Sequence, residues 1–384
     1  MTLPVPGHPE DHLYYVPRAE VIAACAGADL VGLVATALRD HATGGTLLPD
    51  EAYLGWQAPD GAAARSLAMP GGLVTPDGLA LGIKVINGCL SNPARGLARA
   101  QGLILVFDQQ TGWPRALLEA AHISAMRTAA VTALTVRHLG RPGLTRLAVV
   151  GCGALARAHL QLLPAELPEL RHIAVYDKDP RRSHELAADL RAMYPGSGLR
   201  AEHAGSGLRA MYPGSGPGAQ HTGGGPEVSE SGDPRECVRG AELVVTTTTT
   251  TTGYIGHDWL SPGALVAHVS LDDVLPDVVQ RADLLVVDDW NLVSQDTRRL
   301  LGVLYRKGQL RSPAGGYHPD STPEPAARAV DTTLGDILAG NHPGRAGPDD
   351  IVLSNPFGMS ILDIAMAHAI LPAAIENGAR RLPR

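Results

Sequence analysis

The stretch from Thr145 to His159 restricts what this chain can fold into more than any other part of its sequence. An apolar run before Gly151 predicts a buried strand, a Gly-x-Gly-x-x-Ala turn follows, and the residues from Ala154 onward predict a helix. A dinucleotide-binding fold needs this order, because the pyrophosphate binds free backbone N–H groups at the start of that helix. Gly151 permits the tight turn, Gly153 lets the backbone approach the phosphates, and Ala156 keeps the helix close to the strand. These residues and Ala154 are therefore predicted to bind a dinucleotide.

A second apolar run, Ile173–Tyr176, predicts the next strand, and it ends in Asp177, roughly two dozen residues after Gly153. A carboxylate at that distance binds the adenosine ribose 2′-OH, and it repels the 2′-phosphate of NADP. NAD is therefore the predicted cofactor. The alternative interpretation is that Asp177 only caps the turn that follows it.

The totals exclude several classes of partner. A chain of 384 residues can hold two domains with sizeable cores, and its net charge of −7 argues against nucleic acid and anionic membranes as partners. The sequence has no uninterrupted apolar run of about 18 residues, and its N-terminus does not resemble a secretory signal. Four scattered cysteines indicate a reducing, cytoplasmic setting and argue against a metal site: Cys25, Cys89, Cys152 and Cys237.

The alternation of strands and helices divides the chain into two domains. Residues 129–317 are assigned to a Rossmann-type, doubly wound parallel sheet, with strands predicted at 147–150, 172–176, 242–246, 264–270 and 284–287. Residues 41–115 predict a mixed α/β domain with a largely antiparallel sheet, because short apolar runs alternate with turn residues. A helix after a complete nucleotide domain commonly packs back onto the first domain. Residues 1–128 and 318–384 are therefore assigned to one discontinuous domain, with a helix at Val21–Leu38 and another at Ser360–Leu371.

Two biased segments lie inside the nucleotide domain. The nine residues Leu190–Gly198 recur letter for letter as Leu208–Gly216, and a glycine-rich run follows, so residues 190–226 predict a loop insertion of low complexity without a catalytic role. Seven threonines, Thr246–Thr252, end the third strand, where side chains face the cofactor crevice. One or two of these hydroxyls, with Thr248 as the candidate, are predicted to touch the cofactor, and most are interpreted as strand residues.

Charged residues in apolar surroundings are the candidates for chemistry, because burying an unpaired charge is costly. Lys84 interrupts an apolar strand, Arg127 lies near the start of an apolar helix, and Asp272 and Asp273 follow a strand. Arg127 can bind a carboxylate through its planar fork, and Lys84 can neutralise the same carboxylate or help with protons. An aspartate can hold an ammonium group or move its proton. For each residue a buried structural ion pair is an equally strong interpretation.

The motifs Gly82-Ile-Lys84, Ser124-Ala-Met-Arg-Thr-Ala-Ala130 and Val150-Gly-Cys-Gly-Ala-Leu-Ala156 resemble the ornithine cyclodeaminase/μ-crystallin family in order and spacing. Asn355-Pro-Phe-Gly-Met-Ser-Ile-Leu-Asp363 resembles its C-terminal signature. The resemblance implies that Lys84 and Arg127 bind the substrate carboxylate and that Asp273, with Asp272 as the fallback, acts on the amino group. It also implies a homodimer built through the first domain, which would then bind substrate. Thr128, next to Arg127, is included among the predicted cofactor-binding residues.

Within that family, Val269-Ser-Leu-Asp-Asp-Val274 and Val286-Val-Asp-Asp289 resemble the dehydrogenases that act on N-(2-amino-2-carboxyethyl)-L-glutamate. One departure stands out, since the family usually has an arginine about a dozen residues before the pair Met69-Pro70. This chain has Leu54-Gly55-Trp56 in that region. Arg65 is the nearest replacement, and it is predicted with Met69 to bind substrate.

The sequence therefore predicts an NAD-dependent oxidoreductase that acts on the C–N bond of an amino acid or an N-carboxyalkyl amino acid and forms an imine that water hydrolyses. One alternative is an ornithine or lysine cyclodeaminase that recycles its NAD without net redox change. The other is a protein related to the crystallins that binds NAD(P)H without turnover.

Overall fold

The computed structural model describes residues 12–194 and 225–383. The helices, in chain order, are α1 (Arg18–Ala26), α2 (Leu30–Ala42), α3 (Ala120–Leu139), α4 (Ala154–Glu166), α5 (Pro180–Met193), α6 (Pro234–Val238), α7 (Pro276–Arg281), α8 (Trp290–Gln295), α9 (Leu300–Arg306), α10 (Leu334–Ala339) and α11 (Ser360–Glu376). Short 3₁₀ turns cover Asn92–Arg95 and His257–Trp259.

The strands form two large sheets and one small ladder. They are β1 (His12–Val16), β2 (Thr46–Leu47), β3 (Ala52–Gln57), β4 (Ala63–Thr75), β5 (Gly78–Cys89), β6 (Ala100–Phe107), β7 (Pro114–Glu119), β8 (Arg146–Val150), β9 (His172–Tyr176), β10 (Glu227–Glu230), β11 (Leu243–Thr246), β12 (Leu265–His268), β13 (Leu284–Val287), β14 (Leu310–Arg311), β15 (Arg328–Ala329), β16 (Thr332–Thr333), β17 (Val352–Asn355) and β18 (Arg380–Pro383).

The first unit of the chain comprises the described residues up to Arg127 and those from Met359 onward. Its sheet has the order β18-β1-β7-β6-β5-β4-β2, with β3 added on β4, and only the β1–β7 pair is parallel. Helix α11 packs on one face of this sheet against β4, β5 and β6. It is apolar nearly all round, as a helix enclosed by its own domain should be. The predicted mixed, largely antiparallel sheet is confirmed.

The second unit, Thr128–Gly358, contains an eight-stranded sheet in the order β10-β9-β8-β11-β12-β17-β13-β16. All of its strand pairs are parallel, and its central strands are buried along their whole length. Such strands are covered on both faces, which explains their continuous Val, Leu and Ala runs. The strand order reverses between β8 and β11, and this reversal opens a crevice at the carboxyl ends of the two strands. The predicted Rossmann-type fold is confirmed.

The domain boundary predicted at residue 318 is wrong. Residues 318–358 belong to the second unit, where β17 lies between β12 and β13 and β16 extends the edge next to β13. The Pro- and charge-rich composition of this segment hid both short strands. The boundary near residue 128 falls inside helix α3, between Arg127 and Thr128.

Three local predictions also need correction. The single helix expected over Val21–Leu38 is two helices, because the chain turns at Gly27 and Asp29 begins α2 as its N-cap by accepting from Gly32 N–H. The threonine run leaves the strand at Thr246, so the other six threonines are not strand residues. Of the predicted insertion 190–226, the first residues continue α5, and residues 195–224 lie outside the described residues.

In the described ranges no single helix has the length and apolar character to cross a membrane; α1 and α2 satisfy this criterion only as a pair bent by 87°.

Candidate cofactor and substrate sites

The glycine turn follows β8 directly and opens helix α4. Gly151 has φ +92°, and a Cβ there would lie 2.8 Å from the carbonyl carbon of Thr247, so only glycine fits. Gly153 is the N-cap of α4, and no side chain caps this helix end. A Cβ on Gly153 would meet no atom within 4 Å. The start of α4 therefore has no side-chain cap and leaves free space beside Gly153, as a phosphate-binding helix end requires.

Asp177 ties the end of β9 to this turn. Its Oδ2 accepts a hydrogen bond from Cys152 N–H at 2.8 Å, and its Oδ1 accepts one from Asp179 N–H at 3.0 Å. The carboxylate therefore caps the following turn and also lies beside the glycine loop. Both interpretations of Asp177, as a turn cap and as a cofactor residue, fit the geometry. Its position beside the glycine loop places a negative charge where a ribose 2′-OH would bind. Ala156, fully buried, packs α4 closely on the sheet.

The threonine loop after β11 joins the glycine turn to the aspartate pair. Thr247 Oγ1 donates to Gly151 O at 2.6 Å, and Thr248 Oγ1 donates to Asp273 Oδ1 at 2.8 Å. Thr248 is thus held near the cofactor turn, but its hydroxyl is already engaged. Thr128, the first residue of the second unit, is half-buried on α3, and its carbonyl accepts a hydrogen bond from Thr132 Oγ1 at 3.5 Å.

The two candidate aspartates have different surroundings. Asp273 is completely buried, and its carboxylate accepts hydrogen bonds from Thr248, Tyr254 and Ser270 hydroxyls. Asp272 is half-buried; its Oδ1 accepts from Leu300 N–H at 3.0 Å, and burial raises its pKa.

The turn that carries both aspartates has a constrained backbone. Leu271 has φ +81°, and no other non-glycine residue of the described chain has a positive φ. This conformation costs an ordinary L-residue about 1–2 kcal/mol, so the surrounding packing holds the turn in place.

In the first unit, Lys84 and Arg127 share one carboxylate, Asp363 on α11. Lys84 Nζ lies 2.6 Å from Asp363 Oδ2, and Arg127 Nε lies 3.4 Å from the same oxygen. Lys84 is 1% exposed and Arg127 8% exposed. Ser124 Oγ accepts a further hydrogen bond from Lys84 at 3.5 Å.

The electrostatics of this cluster leave it short of negative charge. Burial lowers the pKa of Lys84 to about 8; Asp363 opposes this shift, the positive charge of Arg127 adds to it, and the half-buried Glu51 opposes it weakly. Within the described residues, Arg127 Nε and Asp363 Oδ1 have no hydrogen-bond partner. Two buried cations beside one carboxylate form a site that favours a further anion, and the planar guanidinium matches a carboxylate.

The remaining predicted substrate residues lie on β4. Met69 is buried and pairs directly with Lys84 across the strands, so it lines the same cluster. Arg65 is half-buried and pairs with Gly55 on one side and Gly88 on the other.

Sequence reasoning missed Asp363, although Asp363 has the same feature by which Lys84 and Arg127 were identified. Asp363 is a lone charge within the apolar helix Ser360–Glu376. Such a residue needs a buried partner.

Among the described residues, no three His, Cys, Asp or Glu side chains are grouped so as to hold a metal ion.

Comparisons with known proteins identify the family of this chain. The sequence model of the ornithine cyclodeaminase/mu-crystallin family matches residues 16–203 and 219–378. The N-((2S)-2-amino-2-carboxyethyl)-L-glutamate dehydrogenase of Staphylococcus aureus is 29% identical over 349 residues, which cover 90% of each chain.

Two solved structures are similar to this chain over most of its length. CmnK is 36% identical and superposes with a TM-score of 0.79 over 97% of this chain and 98% of its own. An archaeal alanine dehydrogenase dimer with bound NAD is 19% identical, with a TM-score of 0.73 over 97% of this chain and 99% of its own, and so shares the fold. Because the family model covers nearly the whole chain, this protein belongs to the ornithine cyclodeaminase/mu-crystallin family.

Proposed function

We propose that this chain is an NAD-dependent oxidoreductase that oxidises the C–N bond of an N-carboxyalkyl amino acid, with N-(2-amino-2-carboxyethyl)-L-glutamate or a close analogue as substrate. The buried cluster of Lys84, Arg127 and Asp363 carries the proposal, because it holds an excess of positive charge suited to an amino-acid carboxylate. The similarity to the Staphylococcus aureus dehydrogenase supports the choice of substrate.

The residues of the second unit fit a dinucleotide. Gly151, Gly153 and Ala154 would hold the pyrophosphate at the uncapped start of α4. The carboxylate of Asp177 would accept a hydrogen bond from the ribose hydroxyl. The negative charge of Asp177 favours NAD over NADP, whose 2′-phosphate it would repel. When bound, the oxidised cofactor accepts a hydride from the α-carbon of the substrate.

Arg127 and Lys84 would bind the carboxylate next to that α-carbon. The guanidinium of Arg127 can donate two parallel hydrogen bonds, and Lys84 adds a compact charge at close range. Asp363 holds both cations in place, so the carboxylate meets preorganised donors. Met69 would supply an apolar wall beside Lys84.

The substrate amine must lose a proton as its C–N bond is oxidised, and one of the two aspartates would accept it. The family resemblance implies this role for Asp273, but its carboxylate is buried under three hydroxyl donors. We assign Asp273 to holding Thr248 and Tyr254 in position. Asp272 is the better proton acceptor, because it is half-buried, its pKa is raised by burial, and only one of its oxygens accepts a hydrogen bond from the described residues. Water then hydrolyses the imine to 2,3-diaminopropionate and 2-oxoglutarate.

The proposal predicts that purified protein supplied with NAD and N-(2-amino-2-carboxyethyl)-L-glutamate forms NADH and 2-oxoglutarate in equal amounts. NADH absorbance and a coupled assay for 2-oxoglutarate measure the two products. With NADP the rate should fall at least about tenfold, because Asp177 disfavours the added phosphate. Absence of NADH with this substrate and with simple amino acids contradicts the proposal. Ammonia release from ornithine or lysine without accumulation of NADH supports a cyclodeaminase instead.

We also propose that the enzyme is a homodimer joined through the outer face of the first sheet. This face is the one that Lys84 does not share. It carries three exposed apolar side chains, Leu54 (65% exposed), Trp56 (48%) and Leu103 (40%). Half-buried apolar residues continue the face along β5 and β6: Ile83, Val85 and Leu105. A sheet face with several exposed apolar side chains is typical of a protein interface. The four free cysteines suit the reducing cytoplasm, where we place the enzyme.

Leu103→Glu is expected to convert the dimer to a monomer at micromolar concentration, because it places a charge in the centre of the proposed interface. Light scattering during gel filtration measures the mass. Leu97→Glu is the matched control, since Leu97 is 58% exposed in a loop outside the strands. An unchanged mass for Leu103→Glu, or equal effects of the two variants, argues against this interface.

A further inference from the structure

A row of four cross-strand neighbours crosses the first sheet on the same face as Lys84. Gly55, Arg65, Gly88 and Ala100 pair in this order on β3, β4, β5 and β6. Directly paired residues, and every second residue along a strand, project to one face. Lys84 precedes Gly88 by an even number of residues, so Arg65 and Lys84 share a face, with their Cα atoms roughly 13 Å apart along the strands.

Arg65 therefore stands between two glycines. An additional Cβ on Gly55 would lie 2.9 Å from the ring of Tyr53, so this aromatic side chain, rather than a residue at position 55, borders Arg65 on that side. On the other side, a Cβ on Gly88 would lie 3.6 Å from Arg99 Nη1. The guanidinium of Arg99 thus covers the space that Gly88 leaves open.

Arg99 gives this row a second cation. Burial alone lowers its pKa, and no Asp or Glu of the described chain forms an ion pair with it. Arg99 is half-buried, and a partly desolvated guanidinium without a counterion is unfavourable, so a ligand carboxylate would relieve that cost. Arg65 pairs directly with Gly88, and the Cβ positions of such a pair are about 5 Å apart. Because Arg99 Nη1 lies 3.6 Å from the Cβ position of Gly88, the side chains of Arg65 and Arg99 can reach one anion.

We propose that Arg65 and Arg99 form a second carboxylate subsite, which binds the distal carboxylate of the substrate while Lys84 and Arg127 bind the carboxylate beside the reacting carbon. The inference rests on the proposed function and assigns residues to the second carboxylate, which every substrate of this class, the N-carboxyalkyl amino acids, carries. The spacing supports this class, because long side chains converging from rows roughly 13 Å apart suit carboxylates separated by several bonds. A short monocarboxylate such as alanine would engage only one of the two groups.

Calorimetric titration of the protein saturated with NADH tests the subsite without any turnover. The probes are 2-oxoglutarate, with two carboxylates, and 2-oxobutyrate, with one. Wild-type protein is expected to bind 2-oxoglutarate about 10- to 100-fold more tightly, as a charge-assisted bidentate contact provides. Arg65→Met and Arg99→Met should lose this preference and keep the affinity for 2-oxobutyrate. Arg95→Met is the matched control, since Arg95 is exposed and pairs with Asp60 at the surface.

Three outcomes overturn the subsite: wild-type protein without a preference for 2-oxoglutarate, Arg99→Met with the preference intact, or equal weakening of both probes. The retained 2-oxobutyrate affinity shows that each variant is folded. If the preference holds and the arginine variants remove it while the enzyme forms no NADH, the subsite stands and only the proposed reaction fails.

Discussion

Replacing Arg127 with methionine is expected to lower kcat/KM by about 10³-fold, because the variant loses a bidentate, charge-assisted contact that orients the substrate as well as binding it. The loss should appear in both KM and kcat, since Lys84 alone can attract the carboxylate but cannot fix its plane. Arg127→Lys keeps the charge without the fork, so it should recover only a small part of the activity. Steady-state NADH formation measures all three enzymes.

The same substitution separates catalysis from folding. Arg127 Nε lies 3.4 Å from Asp363 Oδ2 without a hydrogen bond, and Lys84 still pairs with that carboxylate when Arg127 is replaced. The lost attraction to Asp363 is therefore offset by the removal of repulsion between the two cations. The free energy of unfolding should therefore change by no more than about 1 kcal/mol. NADH affinity, measured by fluorescence, should stay within about twofold, because the predicted cofactor residues other than Thr128 cluster around β8, β9 and β11. Parallel losses of stability and activity would show that Arg127 serves the fold instead of the substrate.

The nucleotide-binding half was predictable because its information is local. The apolar strands, the glycine turn and Asp177 lie within one short stretch, and their order along the chain is the signal. Short strands without such context were not predictable. β10 and β16 are two to four residues long, and β17 enters the sheet from a Pro- and charge-rich segment. Pattern reasoning needs longer runs than these.

The partners in the ion-pair cluster of Lys84, Arg127 and Asp363 could not be predicted from local sequence. Each member was detectable as a charge in an apolar element, but the partners are distant in sequence, and only the structure brings Asp363 to Lys84. Asp272 and Asp273 are likewise equivalent in sequence, and burial distinguishes them. The subsite arginines depend on register, because Arg65 and Arg99 are related only through the pairing of β4 with β5.

The Lys84–Asp363 pair allows a decisive comparison between structural and functional roles. Asp363→Leu leaves Lys84 and Arg127 buried with no carboxylate at ion-pair distance among the described residues, and it should lower the free energy of unfolding by about 3–5 kcal/mol. Lys84→Met should cost less, since Arg127 still faces Asp363. The double variant Lys84→Met/Asp363→Leu should be more stable than Asp363→Leu by about 2 kcal/mol, because the fully buried cation is removed as well. Urea denaturation of the four proteins measures this cycle.

Activity should not follow stability through the cycle. Both single variants are expected to lose at least about 10²-fold in kcat/KM, and the double variant should recover stability without recovering turnover, since Lys84 is needed at the substrate carboxylate. A structural ion pair predicts the reverse, with activity restored alongside the fold. The double variant thus decides between a structural role and a substrate-binding role of Lys84. An active double variant assigns Lys84 to the core, and an inactive but stable one assigns it to the substrate.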